Sequence, residues 1–217
     1  MSRLDSGKII EDSFGYAKEG LVGKWDTWVL LIFPLYLGYV LRIYRGANPS
    51  PQLDNWGRMF IEGIKLFIVG LIYAIPVLIH CFVLFRSGDM IRSSANPSTI
   101  GGLIIAVLMG GIFLIIVAPI TWLIVIKAGV RFARTDSIGE AFSFGVIFTH
   151  IGKIGGMTYI IALLMILIAL INIAIICLVI NAVIPYIGII LFFILFPFLC
   201  LLSPRYITLL YESASAA

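Results

Sequence analysis

No acidic side chain interrupts any long apolar run of this chain, and histidine is scarce, with only His80 and His150. Metal-dependent hydrolysis and acid–base chemistry within a membrane need clustered imidazoles or carboxylates, so both lack their reagents. Proton- and sodium-coupled transport normally uses buried carboxylates and meets the same shortage. The patterns H-E-x-x-H, G-x-S-x-G, G-x-x-x-x-G-K-[ST] and G-x-G-x-x-G are all missing. Cys81, Cys177 and Cys200 lie inside apolar runs without C-x-x-C spacing and read as packing residues, not as a redox pair or metal cluster. Both "NPS" triplets, at 48–50 and 96–98, carry Pro in the middle and exclude glycosylation. Neither a catalytic residue nor a cofactor or metal site is expected.

Charge as a whole is also sparse. Charged residues make up 12% of the 217 positions and hydrophobic ones 61%, whereas a soluble domain has about 25% charged residues. Such a chain belongs in a bilayer as one membrane domain spanning 1–217. The formal charge of +4 comes from basic residues beside apolar runs, where anionic lipid headgroups are the natural counterions, and nucleic acid is not expected as a partner. The first 25 residues carry eight charges, which leaves no apolar core for a cleavable signal peptide. They read as an interfacial helix.

Residues 66–85 form an uncharged run of 20 between Lys65 and Arg86, and 20 residues of helix span about 30 Å, the thickness of the hydrocarbon core. Residues 100–126 supply 27 more, with Pro119 as a kink site. Between Lys153 and Arg205 lie 51 uncharged residues, broken near the middle by "NAVIPYIG". They predict two spans, about 154–180 and 183–204.

The segment "TWVLLIFPLYLGYVLRIY" (27–44) has 18 residues with Pro34 in its middle, and length alone does not settle whether it crosses. If it crosses, the basic residues divide six against nine between the two sides; if it dips in at Pro34 and returns, they divide thirteen against two. Lysine and arginine accumulate on the cytoplasmic side, so the expectation is a broken or re-entrant hairpin. Four full spans follow, in a multi-pass protein of the cell membrane with both termini cytoplasmic.

Two strings repeat in order and spacing. Asp54, Gly57, Phe60 and Gly63 match Asp136, Gly139, Phe142 and Gly145; each set follows an R-x-x-R (Arg42/Arg45, Arg131/Arg134) and precedes a pair of apolar runs. The pattern predicts a parallel internal repeat, with units at 54–126 and 136–211. On a helix, Trp56, Met59, Phe60, Ile64 and Phe67 share an apolar face and Asn55, Arg58, Glu62 and Lys65 the polar one, as in an interfacial helix. Asp54 is placed to cap its first turn, and "SIGE" (137–140) is a capping-box pattern opening the second such helix. A weaker third copy, "DSFGYAKEG" (12–20), would carry Ile10, Phe14, Ala17 and Leu21 on one stripe.

The blocks "LGYVLRIYR", "LDNWGRMFIEGIKLFIVGLIYAIP" and "KAGVRFARTDSIGEAF", with the final apolar hairpin, resemble the multi-pass membrane family called domain of unknown function 4013, found mostly in archaea. The family usually has an acidic residue where this chain has Gln52. The resemblance implies an integral membrane protein and brings no activity, cofactor or catalytic residue.

Arg42/Arg45 and Arg131/Arg134 would each set two guanidinium groups on one helix face at the cytoplasmic edge, suited to topology signalling and to phosphate headgroups. Asn172, central in its span, reads as interhelical glue, with pathway lining the alternative. His80 reads as interfacial rather than as a proton relay, and His150 as hydrated. Gly102, Ala106 and Gly110, and Gly152 with Gly156, form small-residue ladders for close helix packing, within the chain or between chains. The functional expectation is a non-enzymatic membrane protein that binds lipid, a partner membrane protein or another copy of itself at its cytoplasmic face. A permease for a small molecule or lipid is the alternative, motivated by the repeat and by Pro34, Pro76, Pro119 and Pro185.

Overall fold

A computed structural model describes residues 6–24, 26, 35–93 and 96–213. Among them all regular structure is helical. The order is α1 (Ser6–Leu21), α2 (Leu35–Tyr44), α3 (Trp56–Ser93), α4 (Pro97–Thr135), a 3-10 turn (Gly139–Phe142), α5 (Phe144–Ile154), α6 (Gly156–Val183) and α7 (Ile187–Glu212). Four of these are long and apolar enough to cross a membrane: Trp56–Ile91, Ser98–Thr135, Gly156–Val183 and Ile187–Glu212. At 1.5 Å per residue they run about 40 to 57 Å, longer than the roughly 30 Å hydrocarbon core. Between 6% and 28% of each apolar stretch is buried inside the fold, so most of their surface is left for lipid.

The chain divides into two compact units: Met1–Phe67 with Ile126–Ala217, and Ile68–Val125. The second unit is the distal part of the α3–α4 hairpin. Leu84 and His80 of α3 close on Gly110, where a Cβ would collide with the Leu84 side chain. His80 stacks on Phe113 with centroids 4.2 Å apart. Val69 and Tyr73 are buried, while Leu78, Phe82, Phe85, Leu108 and Ile115 are exposed, as side chains facing lipid would be.

The first unit holds α1, α2, the opening turns of α3, the end of α4, and α5 to α7. Its core gathers Tyr16, Ala17, Tyr39, Ile43, Met59, Cys200 and Leu201. Two glycines permit close approaches around it. A Cβ at Gly38 of α2 would strike the backbone carbonyl of Met59 in α3, and one at Gly20 of α1 would strike Leu201 of α7. Around Gly20, α1 buries the face Ser13, Tyr16, Ala17 and Gly20 and leaves Ile10 and Phe14 exposed. Of the expected stripe, Ala17 is buried and Leu21 packs against the core, whereas Ile10 and Phe14 are exposed, Phe14 lying edge-on to Phe198 of α7 at 5.0 Å. Small side chains permit the close approach to α7.

At the far hairpin α6 gives way to α7 through Ile184–Tyr186, where Asn181 Oδ1 accepts the Tyr186 N–H at 3.0 Å. The two repeat strings differ in their local structure. The first runs without a break into its span as one helix, α3, of 38 residues. In the second the capping-box residues form the 3-10 turn, with no side-chain cap bond at Ile138 or Ser143. A separate α5 follows and ends at Gly155, whose φ of +94° only glycine adopts easily. Glu140 does not reach back to cap because Arg131 takes its carboxylate, and a charged guanidinium is a stronger partner than a backbone N–H. Of the 27–44 segment, Pro34 and the residues before it lie outside the described residues; α2, its last 10 residues, spans about 15 Å and is too short to cross a bilayer alone.

Candidate functional site

The polar chemistry of the first unit concentrates where α2, α4 and α7 end and α3 begins. Arg42 donates to Asp54 Oδ1 at 2.5 Å and to the Gln52 and Asp54 carbonyls at 2.8 Å. Arg45 grips both Glu62 oxygens, at 3.0 and 3.1 Å, and reaches Asp136 at 3.2 Å. Arg131 pairs with Glu140, and Arg134 with Glu212. All four arginines named from the sequence are thus brought together and engaged by carboxylates of the chain itself. The Glu62 and Asp136 carboxylates hold Arg45 above its ordinary value despite burial, which acts the other way. Arg131 in turn holds the Glu140 carboxyl below the usual range.

The two R-x-x-R motifs also cap one another's helices. Arg45, just past the end of α2, donates Nε–H to the carbonyl of Ala133 in the last turn of α4, at 3.2 Å. Arg134 in α4 donates Nε–H to the carbonyl of Tyr44, the last residue of α2, at 2.9 Å. The final carbonyls of a helix have no intrahelical donor and carry partial negative charge, so a guanidinium satisfies both needs. The exchange links positions 88 and 90 residues apart in sequence.

Glu62 is the central anion of this group. Its side chain is 7% exposed and also accepts from Arg58 Nε at 3.0 Å. The sequence places it on the polar, solvated face of an amphipathic helix with Asn55, Arg58 and Lys65; those three are exposed, as are Trp56, Phe60, Ile64 and Phe67, and the packed face is instead Met59, Glu62 and Gly63. Exposed apolar side chains suit contact with lipid, while the Glu62 carboxylate finds its partners within the protein. Arg205 of α7, buried to the same degree, pairs with Asp12 of α1 at 2.9 Å and lies over the Tyr16 ring.

A second cluster was not anticipated. Lys127, 2% exposed, sets its ammonium 3.0 Å from His150 Nδ1 and over the rings of Tyr211 and Tyr159, 4.3 and 5.2 Å from their centroids. His150 stacks on Tyr211 at 4.0 Å. An ammonium only donates, so Nδ1 accepts and the imidazole is neutral with its proton on Nε2. Burial, and then the charges of Lys127, Lys153, Arg131 and Arg134, push His150 down to about 4. The sequence marks Lys127 only as the residue ending an apolar run. The missed signal is a basic residue one helical turn before the R-x-x-R, on the same face as Arg131.

The remaining sequence candidates stay apart from these clusters. Asn172 is exposed and donates to the Ile168 carbonyl of its own helix at 2.8 Å. Of the small-residue ladders, Gly110 alone meets another helix; Gly102, Gly152 and Gly156 have nothing within 4 Å of an added Cβ, and Ala106 is exposed. Among the described residues no three His, Cys, Asp or Glu side chains converge as a metal site would require.

Residues 27–202, most of the chain, match the family described as protein of unknown function, DUF4013. The chain belongs to that family. Both R-x-x-R motifs, Glu62 and the Lys127–His150 pair lie within the matched region, whereas Asp12, Arg205 and Glu212 lie outside it. No curated protein and no solved structure matches the chain.

Proposed function

We propose that this DUF4013 member is a non-enzymatic multi-pass protein of the cell membrane that binds anionic lipid, or a partner membrane protein, at one charged face. The observation that carries the reading is a division of labour among cations. The arginines at the ends of α2 and α4 are spent on internal carboxylates and carbonyls, so they brace the face. Lys18, Lys65 and Lys153 stand exposed beside it, with Arg58 at 69% exposure. Cations at headgroup depth attract anionic lipid at about 1 kcal/mol each.

Contacts across the 27–44 segment support a same-sided arrangement. Tyr16 of α1 donates to the Ala47 carbonyl at 3.1 Å, and Lys24 Nζ donates to Ser50 Oγ at 3.2 Å. Residues before and after the segment therefore touch, as expected of a segment that enters and returns. The positive-inside distribution favours the cytoplasm as that side.

Native mass spectrometry of the protein extracted gently from its own membrane tests the proposal. Discrete anionic phospholipid masses, or a stoichiometric protein partner, are expected. A bare chain that instead moves a solute across liposomes with saturable kinetics would replace the reading with a permease.

A further inference from the structure

We propose that the recess between α4, α5 and α7, lined by Lys127, Arg131, Val146, Ile147, His150 and Tyr211, receives the phosphate group of an anionic phospholipid. The inference deepens the lipid-binding reading and rests on it.

Three observations carry it. The first is charge balance. Lys127 is buried with no carboxylate within ion-pair distance among the described residues, and a buried charge is costly unless paired. The nearby carboxylates are committed, Glu140 to Arg131 and Glu212 to Arg134. Lys127, Arg131 and Arg134 of α4 and Lys153 of α5 all act on His150, so the local field is positive. The second is depth. Lys127 is the first charged residue after the 34 uncharged ones at 93–126, the level at which a helix leaves hydrocarbon for headgroups. The third is shape. The recess admits about one water-sized atom, which suits one phosphate oxygen inserted between the Lys127 ammonium and the Arg131 guanidinium while the rest of the headgroup stays at the mouth. The neighbouring apolar wall, with Val146 45% exposed, is suited to the first methylenes of an acyl chain.

The His150 imidazole reports on the site. Its protonation is opposed by burial and by these cations, so a bound phosphate that offsets their field raises its titration midpoint. The experiment uses the full chain in phosphatidylcholine nanodiscs, with a His80→Asn background that leaves one histidine resonance. Adding phosphatidylglycerol is expected to give a one-to-one adduct by native mass spectrometry and to raise the His150 midpoint by about one pH unit. Lys127→Met is expected to weaken the adduct roughly tenfold, and Lys127→Arg to retain it. Val146→Phe, at an exposed position and with no change of charge, narrows the mouth and is expected to weaken it too, which keeps the test valid where Lys127→Met does not fold.

Inorganic phosphate in place of the lipid separates the sources. A shift of equal size with phosphate alone, blocked by Val146→Phe, assigns the site to soluble phosphate and overturns the lipid assignment. Phosphatidylglycerol adducts that survive both Lys127→Met and Val146→Phe, with His150 unmoved, overturn this site and leave the broader lipid reading standing. No preference for anionic lipid in any variant overturns both.

Discussion

Replacing Glu62 with Gln keeps the shape of the side chain and removes its charge. Glu62 accepts two bonds from Arg45 and one from Arg58. The Arg58 contact is an exposed i,i+4 pair, worth about 0.3–0.5 kcal/mol. The Arg45 fork is more valuable because the carboxylate is 7% exposed, and hydrogen bonds to charged groups contribute about 1.5–3 kcal/mol. Breaking a fully buried pair costs about 3–5 kcal/mol, but Arg45 is 29% exposed and keeps Asp136 and the Ala133 carbonyl, so the loss falls below that. A destabilisation of about 2–3 kcal/mol results, or about 4–12 °C in Tm for a chain of this size. Thermal unfolding in detergent, followed by tryptophan fluorescence, reads it. Arg58→Gln serves as the control, with a shift of about 2 °C or less expected from the exposed pair. A double-mutant cycle with Arg45→Gln is expected to give a coupling of at least about 1 kcal/mol. An unchanged Tm for Glu62→Gln, or strict additivity in the cycle, would refute the view that this carboxylate organises the charged end.

Gly38→Val drives a branched side chain into the Met59 carbonyl, so loss of monodisperse protein on size exclusion is expected, while Gly101→Ala, with open space around it, leaves the profile unchanged. Acidification acts through His150, whose folded value of about 4 lies below the roughly 6.5 of an unfolded histidine. Above about pH 6.5 neither state binds the proton; as pH falls towards about 4 the unfolded chain binds it first, so stability declines across that window. With the ring partly exposed and screened, the decline should be about 1–2 kcal/mol, and His150→Gln should flatten it in melts taken from pH 7 to pH 4.

The long apolar helices are legible in the sequence because lack of charge over a sufficient length is a local property. Their ends are less so. The run 66–85 predicts a span, yet α3 extends from Trp56 to Ser93, because charged residues at headgroup depth do not stop a helix. The burial of Glu62 is hidden because it depends on Arg45, a partner outside its own helix that a helical wheel does not show. The arginines are legible as a motif and illegible as braces. The partners of Arg134, and Ala133 and Asp136 among those of Arg45, lie in remote segments, while Glu62 is 17 residues downstream of Arg45 and the partners of Arg42 and Arg131 are 12 and 9 residues downstream, near enough for the recurring order of arginine and acid to have suggested them. Lys127 and His150 are 23 residues apart, and only the fold brings a residue that ends a span against one on the next short helix.

The central claim is that α1, the loop after α2 and the paired arginines form one face on one side of the membrane. Single cysteines placed at Lys18, Asn48 and Ser98, all exposed positions, in a chain whose Cys81, Cys177 and Cys200 are replaced, test it with an impermeant maleimide on sealed right-side-out vesicles. The account predicts that Lys18 and Asn48 label only after the vesicles are opened and that Ser98 labels at once. Labelling of Lys18 and Asn48 from opposite sides would contradict it, because the 27–44 segment would then cross the membrane and the contacts of Tyr16 with Ala47 and Lys24 with Ser50 could not form.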